Sequence, residues 1–195
     1  KAAPVYYSDV VAHFLADMVT SQITYIARDL EYRFSNGNIG IKDINFSETH
    51  GRLIGIMGAS GAGKTTLLNV LCGIEPPYKG EVLINGIDLH KNRENLEGVI
   101  GLVPQDDLLI EELTVYQNLY FNSKFCFRDL SEDEIVLRVH KILVDLNLYE
   151  AKDLKVGNPL NKYVSGGQRK RLNIALELIR EPYVLFVDEP TSGLS

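Results

Sequence analysis

The sequence predicts an α/β fold, and three observations carry that expectation. Short apolar runs, "RLIGIMG" (52–58), "GVIGLV" (98–103) and "YVLFVDEP" (183–190), have the length and composition of buried strands. Helical patterns with start signals lie between them. The texture then changes from strand to helix between about 106 and 164, which predicts a helical insert in an α/β core, with a small β layer on the N-terminal side.

Each element has its own warrant. "SDVVAHFLADMV" (8–19) places Val10, Val11, Phe14, Leu15 and Met18 on one helical face, a short lead-in from an upstream domain. "ITYIARDLEYRF" (23–34) and "IGIKDINF" (39–46) flank the turn "NGN" and read as a hairpin. "TTLLNVLCG" (65–73) is a helix stopped by Gly73, and "PPYKGEVLINGIDL" (76–89) has turn–strand–turn chemistry. Thr114 with Gln117, Ser131 with Glu134 and Ser165 with Gln168 are capping boxes, each opening a helix. In the second of these, Ile135, Val139, Ile142, Leu143 and Leu146 form the apolar face.

Composition excludes several classes. The 195 residues are 45% hydrophobic, enough to bury the core of one domain with a subdomain. A net charge of −6 argues against a general nucleic-acid or anionic-membrane surface. The cations of "QRKR" (168–171) are expected on a solvated face or in cross-domain ion pairs. Cys72 and Cys126 read as small buried hydrophobes in a reducing compartment. No run approaches the roughly 18–20 apolar residues a bilayer crossing needs, so the chain itself is expected to be soluble. It opens on Lys1 rather than Met and closes on "PTSGLS", and is expected to be part of a longer protein.

"GASGAGKTT" (58–66) fits the pattern G-x-x-x-x-G-K-[ST] through Gly58, Gly63, Lys64 and Thr65, between an apolar run and a helix. Glycines let successive backbone N–H groups curl around a phosphate, and a following helix N-terminus adds positive potential. Lys64 supplies a charge for the β- and γ-phosphates, and the Thr65 hydroxyl is a ligand for Mg²⁺. A mere glycine-rich turn explains the glycines but not Lys-Thr in phase. Asp188 and Glu189 end the last apolar run. Read alone, Asp-Glu-Pro is either turn chemistry or a cation site. Beside the phosphate loop, Asp188 is the Mg²⁺ carboxylate and Glu189 the group that polarises water for attack on the γ-phosphate. Together they indicate a P-loop nucleotide hydrolase. "NKYV" (161–164) lacks the aspartate of a guanine-specificity motif. A kinase reading leaves the helical insert and the second glycine stretch unexplained.

With "GASGAGKTT", "VPQDD", "VSGGQ" and "VLFVDEPTSGLS" in this order, residues 23–195 resemble the nucleotide-binding domain of an ATP-binding cassette (ABC) transporter. The resemblance implies a P-loop NTPase (RecA-like) core with an N-terminal antiparallel β subdomain and an inserted α-helical subdomain. It divides the chain into a lead-in (1–22), the β layer and P-loop core (23–105), the helical insert (106–164), and the signature helix, Walker B and D-loop (165–195). Gly58, Ala59, Ser60, Gly61, Ala62, Gly63, Lys64, Thr65 and Thr66 correspond to the Walker A loop. Gln105 corresponds to the Q-loop glutamine, a Mg²⁺ or water contact. Ser165, Gly166, Gly167 and Gln168 correspond to the signature segment, which binds the ATP of a second cassette in trans. Asp188 corresponds to the Walker B aspartate and Glu189 to the catalytic base. Phe34 corresponds to the aromatic that stacks on adenine, with Tyr32 the alternative. "VGNPLNKYVSGGQRKRLNIALELI" and "DEPTSGL" further resemble the ABCG-like, or White, branch.

The resemblance implies an ATPase that needs Mg²⁺, works as a cassette dimer and drives a transmembrane domain from the cytoplasmic side of a membrane. No nucleic-acid partner is expected. Two departures stand out. Ser192–Ser195 resemble the D-loop, but Ser195 replaces its usual aspartate. None of His13, His50, His90 or His140 sits in the motif of the family's switch histidine, so the isolated chain is expected to hydrolyse ATP poorly. Non-transport cassettes of the repair and chromosome type interpose a long coiled coil where this chain has about a hundred residues without heptads. Ribosome-associated ATPases and a purely ATP-sensing module are further alternatives; intact Lys64, Asp188 and Glu189 count against the last.

Overall fold

The computed structural model describes residues 23–106, 108–157 and 163–189. The lead-in at 8–19 and the D-loop at 192–195 lie outside them. The chain divides into two compact units, one ending at Glu97 and the other beginning at Gly98.

The first unit is built on the hairpin anticipated from "NGN". β1 (Thr24–Arg33) and β2 (Ile39–Thr49) pair antiparallel, with Thr24 opposite Thr49 and Arg33 opposite Ile39. β3 (Lys79–Ile84) pairs antiparallel with the other edge of β1, and the two-residue β4 (Ile87–Asp88) pairs with β3. The sheet order is therefore β2-β1-β3-β4. Alternation along β1 buries Tyr25, Ala27 and Leu30, which join Val82 and Ile84 of β3 in the core. The β1 register slips between Ala27 and Leu30, where Asp29 adopts φ 49°. Gly80 lies against this bulge: a β-carbon there would stand 2.3 Å from the Arg28 carbonyl oxygen.

α1 (Lys64–Leu71) supplies Leu68, Val70 and Leu71 to the same core. The Tyr25 hydroxyl donates to the Leu71 carbonyl, and burial pushes its pKa upward. Gly73, at φ 86°, ends the helix as expected, its N–H bonding the Val70 carbonyl. Residues 52–58 correct the sequence reading, because they form no strand. Leu53 and Met57 are 96% and 94% exposed. Apolar composition supplies a preference for strand, whereas a strand exists only where a neighbour completes its ladder, and among the described residues none does so here.

In the second unit, β5 (Ile100–Val103) and β6 (Val184–Val187) pair in parallel, Ile100 with Val184 through Val103 with Val187. The Asp188 N–H extends the ladder to the Val103 carbonyl. β6 is half-buried along its length rather than fully buried as its composition suggested. All three capping boxes are formed: Thr114 opens α2 (Val115–Cys126), Ser131 opens α3 (Glu132–Asp145) and Ser165 opens α4 (Gly166–Leu178). Val115 and Leu119 of α2, Ile135, Val139 and Leu143 of α3, and Leu172, Ala175 and Leu176 of α4 share one core. Each fully buried leucine among them contributes about 1.5–3 kcal/mol. Ile142 and Leu146 pack against its rim.

Buried Asn118 donates to the Ile110 and Thr114 carbonyls and accepts the Ile110 N–H, fixing the segment that enters α2. Arg138 lies over the Phe127 ring and pairs with Glu181 at 2.7 Å. The cysteines depart from expectation: Cys72 is half-buried and Cys126 exposed.

Candidate nucleotide site

The phosphate loop is shaped by its glycines. Gly61 and Gly63 have φ of 78° and 86°, values that side chains resist, and the Ala62 N–H closes a turn onto the Ala59 carbonyl. A β-carbon on Gly63 would stand 3.0 Å from the Gly40 carbonyl oxygen, so only glycine fits at the position that caps α1. No side chain caps this helix and its first turn holds no acidic residue. The N-terminal N–H groups and the positive end of the helix therefore keep their full attraction for an anion. The Lys64 ammonium donates to the Gly58 and Ala59 carbonyls, both at 3.0 Å, which holds the cation over the loop. Ser60 and Thr65 are exposed, while Thr66 is half-buried in the first helical turn.

At the far end of the same unit's hairpin, Phe34 is 44% exposed and meets Tyr32 edge-on, ring centres 5.3 Å apart. Gly40 makes room for both rings: a β-carbon there would be 2.9 Å from Phe34. Tyr32 is half-buried and its hydroxyl donates to Glu75 at 3.3 Å. Phe34 thus presents the more open ring face of the pair.

In the second unit the carboxyl ends of β5 and β6 bring Gln105, Asp188 and Glu189 together. This is where open parallel sheets gather ligand groups, in the crevice outside the carboxyl ends of their strands. Asp188 is only 8% exposed, and among the described residues no cation lies within ion-pair distance of it. A buried carboxylate of this kind is costly without a positive partner. Glu189 adopts φ 44°, a left-handed backbone that costs a non-glycine residue about 1–3 kcal/mol. Glu189 is exposed and accepts a hydrogen bond from the Gln105 side-chain amide at 3.1 Å.

The donor set fits Mg²⁺ in kind. The ion takes hard oxygen ligands and keeps several waters, so one carboxylate, a hydroxyl and an amide oxygen are appropriate. In the second unit Asp188 and Gln105 offer a carboxylate and an amide oxygen of this kind, and in the first unit Thr65 offers an exposed hydroxyl; no cluster of three or more His, Cys, Asp or Glu occurs among the described residues.

The signature segment opens α4. Ser165 accepts the Gln168 N–H at 3.1 Å and Gln168 returns a side-chain acceptor to the Ser165 N–H at 2.7 Å. Gly166 and Gly167 form the first turn without side chains, and Ser165 and Gly166 are exposed. The following cations contradict the solvated face read from "QRKR". Arg169 and Lys170 are buried, Arg169 donating to the Val156 and Gly157 carbonyls and Lys170 to the Gln105 carbonyl. Burial follows from position: both occupy the first turns of α4, beside backbone carbonyls of adjacent loops that need donors. Asn173, which bears on the Pro104 carbonyl, went unnoticed in the sequence. Its signal was a polar side chain set between the apolar Leu172 and Ile174, three residues after Lys170.

His90 has a depressed pKa, because burial disfavours its charged form, and its ring contacts the Val70 carbonyl, so it is a structural histidine of the first unit. His140 stands between Tyr116 and Tyr149, edge-on to both.

A glycine loop closed by lysine at a helix N-terminus, in a mixed α/β chain, defines a P-loop NTPase. The family follows from comparison with known proteins: residues 41–192 match the model of the ABC transporter family, and the chain belongs to that family. It is 43% identical over 147 residues to ABC transporter G family member 28 of Arabidopsis thaliana, covering 74% of this chain and 13% of that protein. It is 35% identical over 195 residues to a probable ATP-dependent permease of Saccharomyces cerevisiae, covering 95% of this chain and 18% of that protein. The chain thus spans less than a fifth of either relative. Among solved structures, cbiO1 of Clostridium perfringens, part of the ABC transporter complex cbiONQ, superposes with a TM-score of 0.77 at 33% identity. That match covers 90% of this chain and 68% of cbiO1. No helix among the described residues is long and apolar enough to cross a membrane.

Proposed function

We infer that this chain is the ATP-binding and ATP-hydrolysing cassette of a membrane transporter of the ABCG-like branch, acting with a second cassette and a transmembrane domain at the cytoplasmic face. The observation that carries this reading is the uncapped N-terminus of α1 with Lys64 held over a glycine loop, an anion site with no other evident use.

In this reading Gly58–Thr66 hold the triphosphate, backbone N–H groups binding its oxygens and Lys64 neutralising the β- and γ-phosphates. Phe34 stacks on the adenine. Thr65, Gln105 and Asp188 hold Mg²⁺, which when bound neutralises charge on the phosphates. Glu189 takes the proton of the attacking water, and Gln105 orients both the carboxylate and that water. Ser165, Gly166, Gly167 and Gln168 bind the γ-phosphate held by the second cassette, their helix N-terminus again serving as the anion site. The branch rests on the G-family relatives and on the motif wording around residues 156–195.

The test is Lys64→Ala in the full-length protein, read by binding of a fluorescent ATP analogue. Affinity is expected to collapse; wild-type affinity would overturn the phosphate assignment.

A further inference from the structure

α4 carries a polar stripe on a face that packs inward. Lys170, Asn173 and Glu177 fall at positions i, i+3 and i+7, one side of a helix. Their contacts run in order down the end of β5 and the turn after it. The Glu177 carboxylate accepts the Leu102 N–H at 3.3 Å, the Asn173 amide bears on the Pro104 carbonyl at 3.5 Å, and the Lys170 ammonium on the Gln105 carbonyl at 3.4 Å. The stripe therefore climbs the helix toward Ser165 as the chain leaves the sheet toward Gln105.

Packing alone does not call for these residue types. Lys170 is 9% exposed and Asn173 3%, beside Leu172, Ala175 and Leu176, where apolar side chains bury at lower cost. Polar groups so placed fix a geometry, because each contact is directional and each buried donor needs its acceptor. The backbone they fix is that of Pro104 and Gln105, and the Gln105 side chain in turn donates to Glu189.

We propose that Lys170 and Asn173 are positioning residues, which anchor the Pro104–Gln105 backbone to the signature helix and thereby aim the Gln105 amide at Glu189. The helix that meets a second cassette's nucleotide is then tied, through one turn of backbone, to the carboxylate that activates water on its own chain. Displacement of α4 on docking shifts Gln105, so pairing and water activation are coupled within the chain. This inference rests on the reading of Glu189 as the base.

The experiment measures steady-state ATPase kinetics of the full-length protein. Lys170→Met keeps the aliphatic stem and removes the ammonium, Asn173→Leu removes the amide, and Lys170→Arg keeps a cationic donor. Each of the first two is expected to lower kcat by roughly 10–100-fold, the loss that misplacement by an ångström brings, with KM within about two-fold. Lys170→Arg is expected to restore most of the turnover. In a Gln105→Ala background neither Lys170→Met nor Asn173→Leu should lower kcat further, since the residue they act through is gone. Losses that multiply in that background, or wild-type kcat in both variants, would overturn the proposal. Should Lys170→Met melt, the Asn173→Leu cycle decides alone. Glu189→Gln runs in parallel: if it keeps full turnover, the base assignment fails, an outcome distinct from failure of the anchor.

Discussion

The Gln105 amide nitrogen donates to a Glu189 carboxylate oxygen at 3.1 Å, joining residues 84 positions apart at the ends of two paired parallel strands. A donor fixed there limits the rotation of the carboxylate that we assign as base. Gln105→Ala is expected to leave ATP affinity within about three-fold and to lower kcat by roughly 10–100-fold, read from initial rates and nucleotide binding on the same preparation. Glu189→Gln is expected to lower kcat by roughly 10²–10⁴-fold, with binding retained.

Gly80 and Gly86 separate close approach from backbone strain. Both have positive φ, 89° and 79°, but a β-carbon on Gly80 would collide with the Arg28 and Asp29 backbone whereas one on Gly86 meets nothing. Gly86→Ala is expected to cost about 1 kcal/mol. Gly80→Ala is expected to cost at least about 2 kcal/mol more, because the β1 bulge must move. Urea unfolding midpoints of the two variants measure the difference.

Two serine caps of the same form are expected to differ in consequence. Ser131→Ala and Ser165→Ala each remove a hydroxyl that accepts the N–H of the third helical residue, and each is expected to cost about 1 kcal/mol. Only Ser165→Ala is expected to weaken ATP-dependent pairing of cassettes, measured by analytical ultracentrifugation with Glu189→Gln present to hold the nucleotide.

Acid is expected to loosen α3. Lys124 and then Tyr120 donate to Glu132, and the Ser131 hydroxyl and N–H to Glu134, so both carboxylates lie below their ordinary pKa of 4.5. Carboxylates depressed in the folded state stabilise it fully above their unfolded pKa. That contribution disappears as pH falls through the folded values. A double Glu132→Gln, Glu134→Gln variant is expected to melt at a temperature that depends less on pH below about 4.5 than the parent. Its melting curves across that range, followed by circular dichroism, test this.

What was legible in the sequence was local chemistry. Thr114, Ser131 and Ser165 announced their helices because a cap and its partner lie three residues apart, and the "NGN" turn announced its hairpin for the same reason. The lysine and glycines of the phosphate loop were legible because a phosphate cradle needs consecutive residues. Residues 52–58 were misread because strand formation depends on a neighbour that no local pattern encodes. Arg169 and Lys170 were misread because charge suggests solvent, whereas carbonyls from distant loops decided their burial. Asn173 and Glu177 were missed because their partners, Pro104 and Leu102, are about seventy residues away.

Glu189 sets folding against chemistry at a single position. Its left-handed backbone suits glycine, which would relax the chain by about 1 kcal/mol while deleting the carboxylate. Selection of variants for heat resistance alone would therefore favour Glu189→Gly and recover a tougher protein without the carboxylate that we propose as base. Thermostabilising work on this cassette needs turnover as a second screen, with position 189 held fixed.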